Sequence, residues 1–109
     1  MDYCKHISDA MGTRADKPFK ATLFDGQHLF LGVNVLEPGQ SQSPHSHAHQ
    51  DKFCLVYAGR GHFEVGGSSI EARPGDVVFM PRGVPHGVEN RSHEQLVLLM
   101  GLSAATQQH

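Results

Sequence analysis

The sequence predicts an all-β protein, an antiparallel barrel or sandwich of about eight short strands. Apolar stretches of strand length recur along the chain, and turn residues such as Gly, Pro and Asn separate them. No segment of about a dozen residues combines the helical period with capping residues. Many short strands at this spacing favour a closed barrel or a sandwich over alternating strands and helices.

The order of the elements follows from this pattern. Residues 1–18 are polar and weakly patterned, so we expect an N-terminal arm; a helical turn at residues 8–11 is the only element that it suggests. The barrel domain is predicted at residues 19–102, and residues 103–109 are predicted to be a frayed tail. Within the barrel, strands are expected at residues 19–24, 29–36, 53–58, 62–65, 69–73, 77–80, 86–89 and 95–101.

Length and composition narrow the function classes. A chain of 109 residues is one domain, which buries roughly two-thirds of the surface that its unfolded form exposes. A net charge of −2, with scattered Lys and Arg, gives no basic patch for nucleic acid. No apolar run is long enough to span a membrane, and the polar start is not a signal peptide, so a cytoplasmic location is expected. Cys4 and Cys54 are expected to be free thiols.

Three histidines form the candidate functional site. His45 and His47 are two positions apart, which places both on the same face of an extended strand. His86 lies too far along the chain to belong to the same strand, so folding must bring it to them. Imidazole suits zinc, copper, iron and nickel, and an oxygen ligand, for which Asp51 is the candidate, adds manganese.

Two segments around these histidines resemble the paired motifs of the cupin superfamily. The first motif has a glycine, five residues, a His-any-His group and a closing glycine, and here these are Gly39, His45, His47 and Gly59. The second motif follows after the short stretch of residues 60–74, and the presence of both motifs in this order argues strongly against a chance match. Its specified positions are all matched, by Gly75, Pro81, Gly83, His86 and Asn90.

The resemblance implies a small single-domain protein of the cupin 2 type. It implies a conical antiparallel barrel of two sheets, also called a double-stranded β-helix or jelly roll, with metal and ligand inside. It also implies a homodimer, often formed through the N-terminal arm. The expected cofactor is a divalent transition metal, Fe, Mn, Ni, Cu or Zn, and the expected partner is a small organic molecule. The metal ligands expected on this basis are His45, His47, Asp51 and His86.

The sequence departs from the family pattern at one ligand, a glutamate in the first motif. Counting back from Gly59 places Lys52 there, whereas counting forward from His47 reaches Asp51. Three alternatives follow: Asp51 completes a site of three His and one carboxylate, three His bind metal with water or substrate, or Lys52 holds an anion without metal. Strict alternation ties the choice to the pocket, because an inward Lys52 also turns Cys54 inward.

The expected function is that of a metal-binding cupin that acts on or holds a small organic molecule, oxygenase-like if it is an enzyme. A non-catalytic binding or sensor protein is the main alternative. A sugar isomerase or epimerase is a weaker one, because it needs an acid and a base, and only Tyr57, His62 and Glu64 are nearby. Phe79 and Met80 are expected in the apolar lining or core.

Overall fold

The computed structural model describes residues 2–46 and 49–104, and for Pro44 and His45 it describes the backbone only. In these ranges the chain forms antiparallel strands and one short 3₁₀ helix, Ile7–Ala10, so the predicted all-β barrel is confirmed. The strands are β1 (Phe19–Asp25), β2 (Leu29–Leu36), β3 (Ser41–His45), β4 (Lys52–Ala58), β5 (Gly61–Val65), β6 (Ser68–Ala72), β7 (Val77–Met80), β8 (His86–Glu89) and β9 (Leu96–Ser103).

The strands form two sheets that face each other. The larger sheet has the order β1-β2-β9-β4-β7, and the smaller one has the order β3-β8-β5-β6. An extended strand was expected at His45 and His47, and β3 provides one that begins earlier, at Ser41, and ends at His45. Its start was not predicted, because its Ser and Gln side chains give no apolar alternation. The strands β3 and β4 are consecutive in the chain but belong to different sheets. The strands that carry His45 and His86, β3 and β8, are neighbours in the smaller sheet.

The main core lies between the two sheets. Leu36, Val56, Phe63 and Leu98 are among its members, and each is at most 1% exposed. Along β4 the buried positions alternate with less buried ones, beginning with a buried Lys52. This alternation turns Lys52, Cys54 and Val56 toward the barrel interior and Tyr57 toward the outside.

A second apolar cluster lies on the outer face of the larger sheet. Val33, Val35 and Val97 are buried there, and Ile7 and Met11 of the N-terminal arm pack against them. Strand β2 is therefore apolar on both faces, which explains its nearly continuous run of apolar residues.

The strand β7 forms one edge of the larger sheet and separates two side chains that were expected in the core or lining. Met80 is buried, as expected, but Phe79 is 58% exposed, because neighbouring residues of a strand point to opposite faces. The turns before β7 and β8 contain Gly75 and Gly83, with φ of 95° and 77°. These values confirm the expected turn role, since residues with a Cβ rarely adopt them. Among the described residues, no helix is long and apolar enough to cross a membrane.

Candidate functional site

The pairing of β3 with β8 brings two of the predicted metal ligands to opposed positions. His45 is the register partner of His86, and a register shift lies between Gln42 and His45. The extra residue in β3 is a β-bulge, a feature that commonly re-aims side chains next to binding sites. Pro44 fits here because β3 is an edge strand, where a missing N–H breaks no ladder hydrogen bond.

The imidazole of His86 is almost fully buried, at 3% exposure. Its Nδ1 lies 3.2 Å from the carbonyl oxygen of Val84. A carbonyl only accepts hydrogen bonds, so Nδ1 carries the proton, and in the neutral ring the lone pair is on Nε2. That tautomer is the one a metal-ligating histidine needs when its second nitrogen is held by a backbone carbonyl.

Asp51 and Lys52 compete for the carboxylate position of the family motif, and the chain places them differently. Asp51 is exposed, and its Oδ1 accepts a hydrogen bond of 3.0 Å from the backbone N–H of Arg82. Lys52 is 6% exposed and is the register partner of Met80 and Leu102 in the interior of the larger sheet. The basic residue, not the acidic one, therefore faces the barrel interior.

Lys52 lies on a cavity of about 390 Å³ that reaches both sheets. In the described part of the chain, none of the ion pairs involves Lys52, so its ammonium group has no carboxylate partner there. The polar residues that line the cavity are Lys20, Asn34, Gln42, Ser43 and Lys52, and the apolar ones are Met100 and Leu102.

Burial controls the electrostatics of this side of the barrel. It lowers the pKa of Lys52 below the ordinary value of a lysine, and the positive charge of Lys20 lowers it further. Burial also raises the pKa of the Cys54 thiol to about 11, which the nearby charge of Lys52 only partly opposes. The cavity is therefore electropositive whenever the amine of Lys52 is protonated.

Two amide side chains of this cavity were not identified from the sequence. Asn34 is 2% exposed, and its Oδ1 accepts no hydrogen bond within the residues described; Gln42 Nε2 is buried and donates none. For Asn34 a signal exists, because it is the only polar residue of the otherwise apolar strand β2. Gln42 lies in a polar segment, where nothing distinguishes it.

A second polar cluster lies outside the barrel, on the outer face of the smaller sheet. The ring of His62 hydrogen-bonds through Nδ1 to Glu71 and through Nε2, at 2.9 Å, to Glu64. These bonds to Glu71 and then Glu64 raise the pKa of His62 above its ordinary value. Phe63, between them, points into the core, so His62 and Glu64 face outward, as expected from alternation.

The predicted metal site is only partly covered by the described residues. Among these residues no three His, Cys, Asp or Glu side chains come together as a metal site. The side chain of His45 and the whole of His47 lie outside them. The ligand set His45, His47, Asp51 and His86 therefore stays a prediction.

Comparisons with known proteins agree with the fold. A family model described as the cupin domain matches residues 32–101. The tetracenomycin polyketide synthase protein TcmJ of Streptomyces glaucescens is 33% identical over 64 residues, which are 59% of this chain and 43% of that protein. The oxalate-binding protein of Thermotoga maritima is 31% identical over 80 residues, 73% of this chain and 65% of that protein. The chain thus spans less than two-thirds of either relative.

A solved structure resembles the chain over most of its length. The TT1209 protein of Thermus thermophilus superposes with a TM-score of 0.89 at 29% sequence identity. The match covers 92% of this chain and 95% of that one.

Proposed function

The chain belongs to the cupin domain family, and from this membership we propose that its barrel binds a small organic anion at Lys52. The main support is Lys52, a residue only 6% exposed that lines the cavity and whose ammonium group has no carboxylate partner in the described chain. An unpaired charge is costly to bury, and buried cations in proteins are normally paired. The negative charge that the family pattern places in the protein would here come from the ligand.

The size of the cavity and one relative support the same ligand class. A volume of about 390 Å³ is near the lower end of the usual range for small-molecule sites. Lys20 adds a second positive charge to the cavity wall, which favours anions over cations. The Thermotoga maritima relative is named for oxalate binding, and oxalate is a small dianion. We propose a mono- or dicarboxylate of similar size for this chain.

Calorimetric titration with oxalate, malonate and succinate tests this proposal. Lys52→Met should weaken binding by about tenfold or more, because a charge-assisted hydrogen bond contributes roughly 1.5–3 kcal/mol. Lys17→Met is the matched control, since it removes one exposed positive charge outside this cavity. Equal affinities of the wild type and Lys52→Met would refute the anion site.

A divalent transition metal held by His45, His47 and His86 is the second candidate. The observation that favours it is the His86 ring, buried and held through Nδ1 by Val84 in the ligating tautomer, at a position opposite His45. Directly opposed positions of an antiparallel pair belong to the same face of the sheet. Imidazole donors fit Fe, Ni, Cu and Zn, and they accept Mn when oxygen ligands are added. When bound, such an ion would supply Lewis-acid chemistry, and His45, His47 and His86 would be the residues that hold it.

Asp51 is the weakest member of this metal set on chemical grounds. Its carboxylate would have to leave the N–H of Arg82, or share an oxygen with it, in order to bind an ion. Three histidines without a protein carboxylate would leave coordination positions for the ligand, as catalytic metal sites do. An oxygenase-like reaction is the enzymatic form of this candidate, and a carrier or sensor is its non-catalytic form.

Elemental analysis of protein purified without a chelating tag, then loaded separately with Fe, Mn, Ni, Cu and Zn, tests the metal proposal. His86→Ala should lose most of the bound metal, whereas His93→Ala, a change of an exposed histidine, should not. Asp51→Ala with unchanged affinity and metal preference would favour the three-histidine set. Less than about one-tenth equivalent of every metal in the wild type would exclude the site.

The isomerase alternative has no support from the side chains that suggested it. It requires a titratable acid and base inside the barrel. Tyr57 is 43% exposed, and His62 and Glu64 lie on the outer face of the smaller sheet. None of the three reaches the cavity beside Lys52.

A further inference from the structure

The cavity beside Lys52 is lined by two amide side chains, each with one buried polar atom that has no hydrogen-bond partner in the described chain. Asn34 on β2 is 2% exposed and its Oδ1 accepts no hydrogen bond in the described chain. Gln42 on β3 likewise has a buried Nε2 that donates none. Both residues line the same cavity as Lys52, from both sheets of the barrel.

A comparison with Asn90 shows how a structural asparagine behaves in this protein. Asn90 is 0% exposed, and its Nδ2 donates to the carbonyl oxygens of Leu36, at 2.8 Å, and Glu94, at 2.7 Å. Its Oδ1 accepts from the backbone N–H and the hydroxyl of Ser92. Asn90 therefore ties the end of β2 to the turn before β9, whereas the Oδ1 of Asn34 bonds to none of the described residues.

The residues around Asn34 leave its Oδ1 without a donor. Its chain neighbours Val33 and Val35 are apolar, and its register partners are Leu98 on β9 and Lys20 on β1, neither of which bonds this oxygen in the described chain. A buried polar group without a partner is destabilising. The amide of Asn34 is explained if the cavity receives a molecule with a hydrogen-bond donor.

We infer that the ligand of this barrel is a small hydroxy acid, which rests on the anion site proposed at Lys52. Its carboxylate accepts from Lys52 Nζ and Gln42 Nε2, and its hydroxyl group donates to Asn34 Oδ1. A carboxylate ion has no proton to donate, so a plain dicarboxylate leaves Asn34 unsatisfied. An amino acid would also bring a donor, but its ammonium group would be repelled by Lys52 and Lys20. Asn34 is thus assigned as the residue that distinguishes hydroxy acids from their deoxy and amino counterparts.

Matched ligand pairs test this assignment on the full chain. Malate and succinate differ only in a hydroxyl group, and aspartate replaces that hydroxyl by an ammonium. Titrations are made on chelator-treated protein, so that metal chelation by the hydroxyl group cannot imitate the effect. The wild type should bind malate about tenfold more tightly than succinate or aspartate, since a site built for a hydroxyl penalises its absence.

The variant Asn34→Leu should lose this preference and bind malate and succinate with equal affinity. Lys52→Met should weaken both acids together. The thermal melting curve and amide NMR spectrum establish that Asn34→Leu is folded, and Asn34→Ala replaces it if it is not. The comparison of malate with succinate on the wild type needs no variant, so it can be made whether or not the Asn34 variants fold.

The possible failures of the two proposals differ. Equal wild-type affinities for malate and succinate, both lost in Lys52→Met, would overturn the hydroxy-acid inference and leave the anion site standing. A malate preference that persists in folded Asn34→Leu would overturn the role of Asn34. Absence of binding of any of the acids to the wild type would overturn both proposals.

Discussion

Asp51 and Lys52 are adjacent in the chain but lie on opposite sides of the barrel wall. The exposed Asp51 carboxylate accepts a hydrogen bond of 3.0 Å from the Arg82 N–H, whereas Lys52 is 6% exposed and lines the cavity between the sheets. A strand reverses its facing at every residue, so both cannot point inward from a regular β4. The residue that faces inward at the start of β4 therefore carries a positive charge. This charge is the reason that an anionic ligand is proposed for the barrel.

Removal of the Lys52 charge should stabilise the protein while it weakens anion binding. Lys52→Met keeps much of the side-chain volume and removes an unpaired buried ammonium, so we expect the free energy of unfolding to rise by about 1–2 kcal/mol. Chemical denaturation in the absence of ligand measures the free energy of unfolding. Lys17→Met should change that free energy by less than about 0.5 kcal/mol, as surface substitutions do. A less stable Lys52→Met would mean that Lys52 is paired within the protein.

The cluster around His62 predicts a pH dependence of stability. Its pKa is raised above the ordinary 6.5, mainly by Glu71 and then by Glu64. A raised folded-state pKa means that the stabilisation is fully present below the unfolded-state pKa and is lost as pH rises through the folded-state pKa. The melting-temperature difference between the wild type and His62→Gln should therefore shrink above about pH 7 and with added salt. A difference that does not vary with pH would contradict this.

The two cysteines should differ strongly in reactivity. Cys4 is exposed, whereas Cys54 is buried and its thiol pKa is raised to about 11. The thiolate is the reactive form, so we expect a disulfide reagent at about pH 8 to modify only one thiol quickly in the native protein. The second thiol should react only after unfolding in denaturant. Cys4→Ser should abolish the fast phase, and a persisting fast phase in that variant would show that Cys54 is accessible.

Two glycines with positive φ should respond differently to alanine. At Gly59 (φ 82°) an added Cβ would lie 2.1 Å from the carbonyl oxygen of Gln95, whereas at Gly75 (φ 95°) it would meet nothing within 4 Å. Gly75→Ala should cost only the conformational strain, about 1–2 kcal/mol. Gly59→Ala should cost more than about 3 kcal/mol, because the backbone must move. Equal losses of unfolding free energy in Gly59→Ala and Gly75→Ala, measured by chemical denaturation, would contradict the close contact with Gln95.

The sequence predicted the fold well because most strands carry apolar side chains in strand-length runs bounded by Gly and Pro. The bounds of β2 and β7 agree with the residues expected. A strand was expected at His45 and His47, but the start of β3 at Ser41 was not predicted, because its polar residues have no alternating pattern and their pairing with β8 is a long-range property. Asn90, the last matched position of the second motif, donates from its side chain to the backbone carbonyls of Leu36 and Glu94.

The site was less predictable than the fold, because it depends on which of two adjacent residues faces inward. Counting from His47 and counting from Gly59 gave different answers for the carboxylate position. The pairing register of β4 with β7 and β9 turns Lys52 toward the barrel interior, and this register is a long-range property of the fold. Asn34 was missed because its unsatisfied Oδ1 becomes visible only when the strands around it are assembled.

A crystal structure of the protein with bound oxalate, with data collected at metal absorption edges, tests the central claim most directly. We expect an oxalate oxygen within hydrogen-bond distance of Lys52 Nζ inside the barrel, with Asp51 still bonded to the Arg82 N–H. Oxalate bound elsewhere, with Lys52 turned out of the barrel and Asp51 bound to a metal beside His86, would contradict it.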